Sequence, residues 1–149
     1  MSNALVGTYS HLLVGLDLSE DSTAILSKAI KLAKACNAQV SLAHVVEPLA
    51  FAYGGDVPMD LTEAQVVMEQ QAQARLDKIA DELELTPANM AILVGNTAGE
   101  LHRYAEEHNA DLIVVGSHGR HGFALLLGST ANGVLHGAKT DVLAVRVGE

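Results

Sequence analysis

Tryptophan is missing from this 149-residue chain, and two Phe and three Tyr are its only aromatic residues. A core without large rings has to be filled by Leu, Val, Ile and Ala, which suits helices laid on a sheet. The single cysteine, Cys36, excludes an internal disulfide. Its place in a helical pattern with Ala29 and Lys34 makes it a buried, inert thiol rather than a nucleophile. No stretch reaches the roughly 20 apolar residues of a membrane span. The opening MSNALVGTYSHLL has neither a basic start nor an unbroken apolar run, so a cytoplasmic location without membrane contact is expected. Clusters of positive charge are also lacking. Nine Lys and Arg stand against eighteen Asp and Glu, a net charge of -9 that repels phosphate backbones and argues against nucleic acid as a partner.

What is present is an alternation. The length fits one domain spanning residues 1–149, with no internal repeat and no low-complexity tract. Runs rich in Val, Ile and Leu at residues 11–16, 40–46, 112–115 and 142–147, with a weaker one at 90–94, read as strands buried on both faces. Ser19, followed by Glu20 and Asp21 and by apolar residues from Ile25 to Ala33, predicts a helix ending near Asn37. Thr62 and Gln65 form a capping-box pair ahead of Met68, Ala72, Leu76, Ile79 and Leu83, a pattern stopped by Pro87. Thr97 and Glu100 repeat the device before Leu101, Tyr104 and Ala105, and a fourth helix is expected from about Ser129 to His136. Strands alternating with helices imply right-handed crossovers. The expected fold is therefore an α/β open parallel five-stranded sheet, order 3-2-1-4-5, with helices on both faces. One long connection, Glu47 to Leu61, contains Pro48, Gly54, Gly55 and Pro58.

In such a sheet ligands bind beyond the carboxyl ends of the strands, where the order reverses, here between the first and fourth strands. The tips there are Gly15-Leu16-Asp17 and Gly116-Ser117-His118-Gly119, and the second opens a glycine-rich segment with Gly122, Gly128 and Gly133. Glycines let main-chain N–H groups turn toward an anion, and a helix starting at Ser129 adds free donors and a positive dipole end. Phosphate is the natural guest. The spacing is neither that of a P-loop, since no Lys stands between Gly128 and Ser129, nor GxGxxG, and the same glycines would also serve simply to shape a long βα loop.

Three stretches, LLVGLDLSEDS, AHVVEP and ADLIVVGSHGRHGFALLLGSTANGVLHGAKTDVLAVRV, resemble the universal stress proteins of the UspA type over essentially the whole chain. The resemblance implies an adenine nucleotide alpha hydrolase-like fold and, in members that bind nucleotide, a pattern of Gly, two residues, Gly, nine residues, then Gly with Ser or Thr. Gly116, Gly119 and Gly128-Ser129 match it, with eight residues, 120 to 127, in the long interval. Carried over position by position, Asp17 would contact the adenine or ribose end with Gly15 close by, and Val45 would hydrogen-bond the adenine edge through its backbone. Gly116, His118, Gly119 and Arg120 would cradle ribose and phosphates, and Gly128, Ser129 and Thr130 would hold the phosphate chain. Arg120 offers a planar fork suited to phosphate oxygens.

Plainer roles stand beside these. Asp17 would equally cap the loop before the first helix, Ser129 is an ordinary N-cap residue, and His44 suits a hydrogen-bonded core position. His118 and His121 flank Arg120 without a third ligand at a suitable spacing, so no metal site is expected. The implied function is a stress-response protein holding ATP, alone or with Mg²⁺. The alternative is a nucleotide-free dimer acting through an unknown protein partner. No catalytic residue stands out, and any ATP hydrolysis would be slow. The last run, Val142 to Val147, would leave an apolar sheet edge that a second copy covers by pairing across a two-fold axis, giving a homodimer. The resemblance implies the same pairing.

Overall fold

The computed structural model describes residues 4–48, 60–117 and 139–146. Its elements follow in chain order as β1 (His11–Gly15), α1 (Ser22–Cys36), β2 (Gln39–Val46), α2 (Asp60–Glu82), β3 (Met90–Val94), α3 (Thr97–Glu107), β4 (Leu112–Gly116) and β5 (Asp141–Val145). The strands form one parallel sheet in the order β3-β2-β1-β4-β5, the arrangement expected from the alternation.

Side chains alternate across this sheet and split the core in two. Leu12, Val14, Leu42, Leu112 and Val114 face α1 and α2, meeting Ile25, Leu26, Ala29 and Leu76. Leu13, Ala43, Ile113 and Val115 face α3, meeting Leu101, Tyr104 and Ala105. Leu12, Leu13 and Val14 are all 0% exposed, so both faces of β1 are fully covered. Each such side chain contributes about 2 kcal/mol by its removal from water. A one-residue slip would exchange the two core faces, which fixes the register. Cys36 lies buried at the end of α1, as expected for an inert thiol.

Helix ends depart from the sequence reading in detail. Ser19 closes a turn, its carbonyl accepting the Ser22 N–H at 3.0 Å, and α1 starts three residues later with Asp21 as N-cap. Its end falls where expected, with Asn37 in the left-handed region at φ 58°. α2 begins at Asp60, which places Thr62 inside the helix rather than at its cap. For α3 the cap is Asn96, not Thr97: the Asn96 Oδ1 accepts the Gly99 N–H at 2.9 Å. Asn is at least as good a cap as Thr, and Glu100, freed from the capping box, pairs with Arg103 at 2.6 Å instead. β5 starts one residue earlier than expected, at Asp141, and ends at Val145. The helix expected from Ser129 to His136 lies outside the described residues.

The amino ends of the strands are tied by a polar network. Asp111, just before β4, accepts the N–H groups of Ser10 at 2.9 Å and His11 at 3.0 Å and the Ser10 hydroxyl at 3.0 Å. The His11 ring donates from Nδ1 to the His108 carbonyl at 2.9 Å. That leaves Nε2 to accept from the Ser41 hydroxyl at 2.6 Å, while Asn89 donates to the same Ser41 oxygen at 3.3 Å. The network joins β1, β2 and β4 at the end of the sheet remote from the strand tips.

Burial pushes the Asp111 carboxyl up, but the N–H donors of His11 and Ser10 and the Ser10 hydroxyl outweigh it and hold its pKa below the ordinary 3.8. The folded value is the lower one, so this contribution is fully present above pH 3.8 and is lost as pH falls through the folded value. Asp111→Asn should destabilise the protein by about 1–2 kcal/mol at pH 7, and this deficit should shrink as the pH is lowered below 3.8. Urea unfolding across that range measures it, and a deficit independent of pH would contradict the assignment.

Candidate functional site

The site follows from strands of unequal length. β1 pairs with β2 only as far as Gly15 opposite Ala43, whereas β2 continues to Val46. The last bond of that ladder runs from the Leu16 N–H to the Ala43 carbonyl at 2.9 Å. Main-chain groups along a strand point alternately to its two neighbours. Ala43 faces β1, and Val46, whose carbonyl accepts the Gly95 N–H at 3.0 Å, faces the β3 side. Val45 therefore directs both its N–H and its C=O toward β1, at a level where β1 has already ended.

A cavity of about 190 Å³ opens at this point. Its walls come from Gly15 and Asp17 after β1, His44 and Val45 of β2, Thr97 and Leu101 of α3, and Gly116 of β4. Leu101 explains the glycine at the end of β1. A Cβ at position 15 would stand 2.9 Å from its Cδ1 and 3.1 Å from its Cδ2, and Leu101 is itself only 1% exposed.

The turn after β1 is held by specific bonds. The Asp17 Oδ1 accepts the Ser19 N–H at 2.9 Å and the Ser22 hydroxyl at 3.4 Å. Leu18 adopts φ 63°, a left-handed conformation that costs an L-residue about 1–2 kcal/mol. Its side chain is nevertheless only 5% exposed, anchored in the core beside α1. The Arg75 guanidinium, from α2, donates to the Leu18 carbonyl. On the other side of the turn, the His44 Nδ1 donates to the Leu16 carbonyl at 2.7 Å. His44 is thus the hydrogen-bonded histidine that the sequence suggested, half-buried and on the cavity wall.

Of the residues singled out from the sequence, Gly15, Asp17, Val45 and Gly116 come together around this one cavity. His118, Gly119, Arg120, Gly128, Ser129 and Thr130 lie outside the described residues, as does His121. Asp17 carries the turn-capping bonds proposed as its plainer role, and it is also exposed on the cavity wall. Sequence reasoning passed over Asp21, Thr97 and Leu101 as wall residues. Asp21 follows Asp17 by four residues and carried a readable signal, whereas Thr97 and Leu101 arrive through the packing of α3. Among the described wall residues the charged ones are Asp17 and Asp21, with no Lys or Arg. This half of the site repels phosphate and suits a neutral group rich in hydrogen-bond donors.

A doubly wound parallel sheet with a cavity at its switch point places the protein in the class of open α/β folds, in which ligands bind at that point. The model of the Universal stress protein family matches residues 8–146. Universal stress protein A homolog 2 of Coxiella burnetii is 41% identical over 143 residues, covering 93% of this chain and 96% of its own. A universal stress protein crystallised in complex with cAMP is 28% identical, with TM-score 0.60 and coverage of 93% and 97%. The hypothetical protein MJ0577 is 25% identical, with TM-score 0.78 and coverage of 95% and 98%. The chain belongs to the universal stress protein family.

The contact between Gly15 and Leu101 makes a direct prediction. Gly15→Ala should destabilise the protein by about 1–3 kcal/mol through overpacking. Leu101→Val in the same chain should recover part of that loss, although Leu101→Val alone destabilises. A double-mutant cycle by thermal unfolding checks the coupling, and strict additivity would exclude the close approach.

Proposed function

We propose that the protein is a stress-response protein that binds an adenine nucleotide, ATP, at the switch point between β1 and β4. The observation that carries this reading is the outward pair of Val45 main-chain groups on the cavity wall. One donor and one acceptor of the same residue, turned to the same side of an extended strand, complement the edge of adenine, where a ring nitrogen acceptor lies beside an amino donor. The acidic wall at Asp17 and Asp21 suits the base and the ribose hydroxyls. The phosphates then run toward Gly116 and onward to His118, Gly119, Arg120, Gly128, Ser129 and Thr130, with Mg²⁺ as a companion of the phosphate chain. The bound cAMP in a relative 28% identical supports an adenine ligand for this fold.

Pairing of two copies along β5 belongs to the same reading. Val145 accepts the Ser117 N–H at 2.8 Å and so faces β4, which by alternation turns the N–H groups of Val142 and Ala144 away from β4, to the outer edge of the sheet among the described residues. Exposed strand edges of this kind are paired or covered in stable proteins.

Saturating ATP with Mg²⁺ should raise the melting temperature by about 5 °C or more at roughly 100-fold excess over Kd. ITP should give a much smaller shift, because its ring N–H meets the Val45 N–H donor to donor. Heat-denatured protein as purified should release an adenine nucleotide detectable by chromatography. A flat response to both nucleotides would favour the nucleotide-free interaction protein instead. For the dimer, Ala144→Pro removes an outward N–H without breaking a β4 bond, so it should sediment as a folded monomer while the unaltered protein sediments as a dimer. A dimer in both would exclude the edge pairing.

A further inference from the structure

The turn between β1 and α1 holds a conformation that its own residues disfavour. Leu18 sits at φ 63° without being Gly, Asn or Asp, so something beyond local preference keeps it there. Two groups do so. Its side chain is locked into the core cluster that includes Ile25 and Leu76, and its carbonyl receives the Arg75 guanidinium across 57 positions of sequence. Arg75 stands next to Leu76, which is 0% exposed, so the base of the long side chain is fixed to the same core that fixes Leu18. Among the described residues, Arg75 forms no ion pair, and its guanidinium is spent on this main-chain oxygen.

The residues on either side of Leu18 give the contact its meaning. Asp17 and Ser19 close their turn through the Asp17 Oδ1 and the Ser19 N–H, and both line the cavity. Rotation of Leu18 into an ordinary right-handed or extended conformation would swing the 18–19 peptide, open that bond and carry the Asp17 carboxylate off the wall. The position of Asp17 therefore depends on whether the Leu18 carbonyl is held.

We infer that Arg75 is a positioning residue of the ligand site, a strut from α2 that fixes the left-handed Leu18 and thereby sets the Asp17 carboxylate against the ligand. The inference rests on the nucleotide-binding reading and adds a control point on a different helix. Arg75 touches no ligand in this arrangement and acts through main chain alone. An arginine suits the task because its fork of donors reaches a carbonyl from a distant, exposed helix face while its stem lies along apolar surface.

The test combines Arg75→Ala, Arg75→Lys, Asp17→Ala and the Arg75→Ala/Asp17→Ala double variant in the full chain. In ligand-free protein, the Ser19 amide should exchange with solvent about tenfold faster in Arg75→Ala, and Arg75→Lys, which keeps a donor, should restore most of the protection. ATP titration should show about tenfold weaker binding for Arg75→Ala, with no further loss when it is added to Asp17→Ala. A merely structural role would instead lower the melting temperature and weaken binding equally in both backgrounds. Unchanged Ser19 exchange, or losses in affinity that add, would overturn the strut while leaving nucleotide binding intact. An unaltered protein that binds no ATP would overturn the nucleotide reading, and the exchange experiment would still decide whether Arg75 holds the turn.

Discussion

Two neighbouring parallel strands of unequal reach underlie the site. β1 leaves the sheet after Gly15, its last ladder bond being made by Leu16, while β2 continues to Val46. Parallel pairing obliges each residue to offer both its main-chain groups to the same side, so the early departure of one strand strands a donor and an acceptor together at Val45. Main-chain groups that a ladder leaves without a strand partner look for hydrogen bonds elsewhere. The cavity, its glycine tips and the held turn at Asp17 are arranged around that vacancy in the ladder.

The two ends of the sheet divide the work. At the amino ends of the strands, Asp111, His11, Ser41 and Asn89 satisfy one another and bind β1, β2 and β4 into a fixed frame. At the carboxyl ends the polar groups are held but not exhausted. The described bonds of Asp17 fall on Oδ1, the Leu16 carbonyl is met by His44, and the Leu18 carbonyl is met by Arg75. The closed end supplies rigidity, and the open end keeps chemical capacity.

The fold was readable in the sequence because its signals were redundant. Leu12, Leu13 and Val14 form an apolar run buried on both faces, and the 3.6-residue spacing of Ala72, Leu76 and Ile79 marked α2 without ambiguity. Caps were less legible: the sequence pointed to Thr97 with Glu100, and the geometry selects Asn96 one residue earlier. Part of the site was readable for the same reason as the strands, since Gly15, Asp17 and Gly116 lie at strand tips, whereas Val45 was reached only through the family resemblance. Leu101 and Arg75 were not readable, because their parts come from long-range packing, one against a missing Cβ and the other against a carbonyl 57 positions away. A left-handed leucine likewise leaves no mark in composition or periodicity.

Under the proposed function, recognition of the base through the peptide groups of Val45 has a consequence for inheritance. Any residue able to occupy an extended strand presents the same two atoms, so the side chain there is free to drift while base selectivity persists. Two descendants with different letters at this position would hold the same purine. Loss of that selectivity would instead be written in the length of the preceding strand, as an insertion that lets the chain run alongside for two more steps and fills the gap itself.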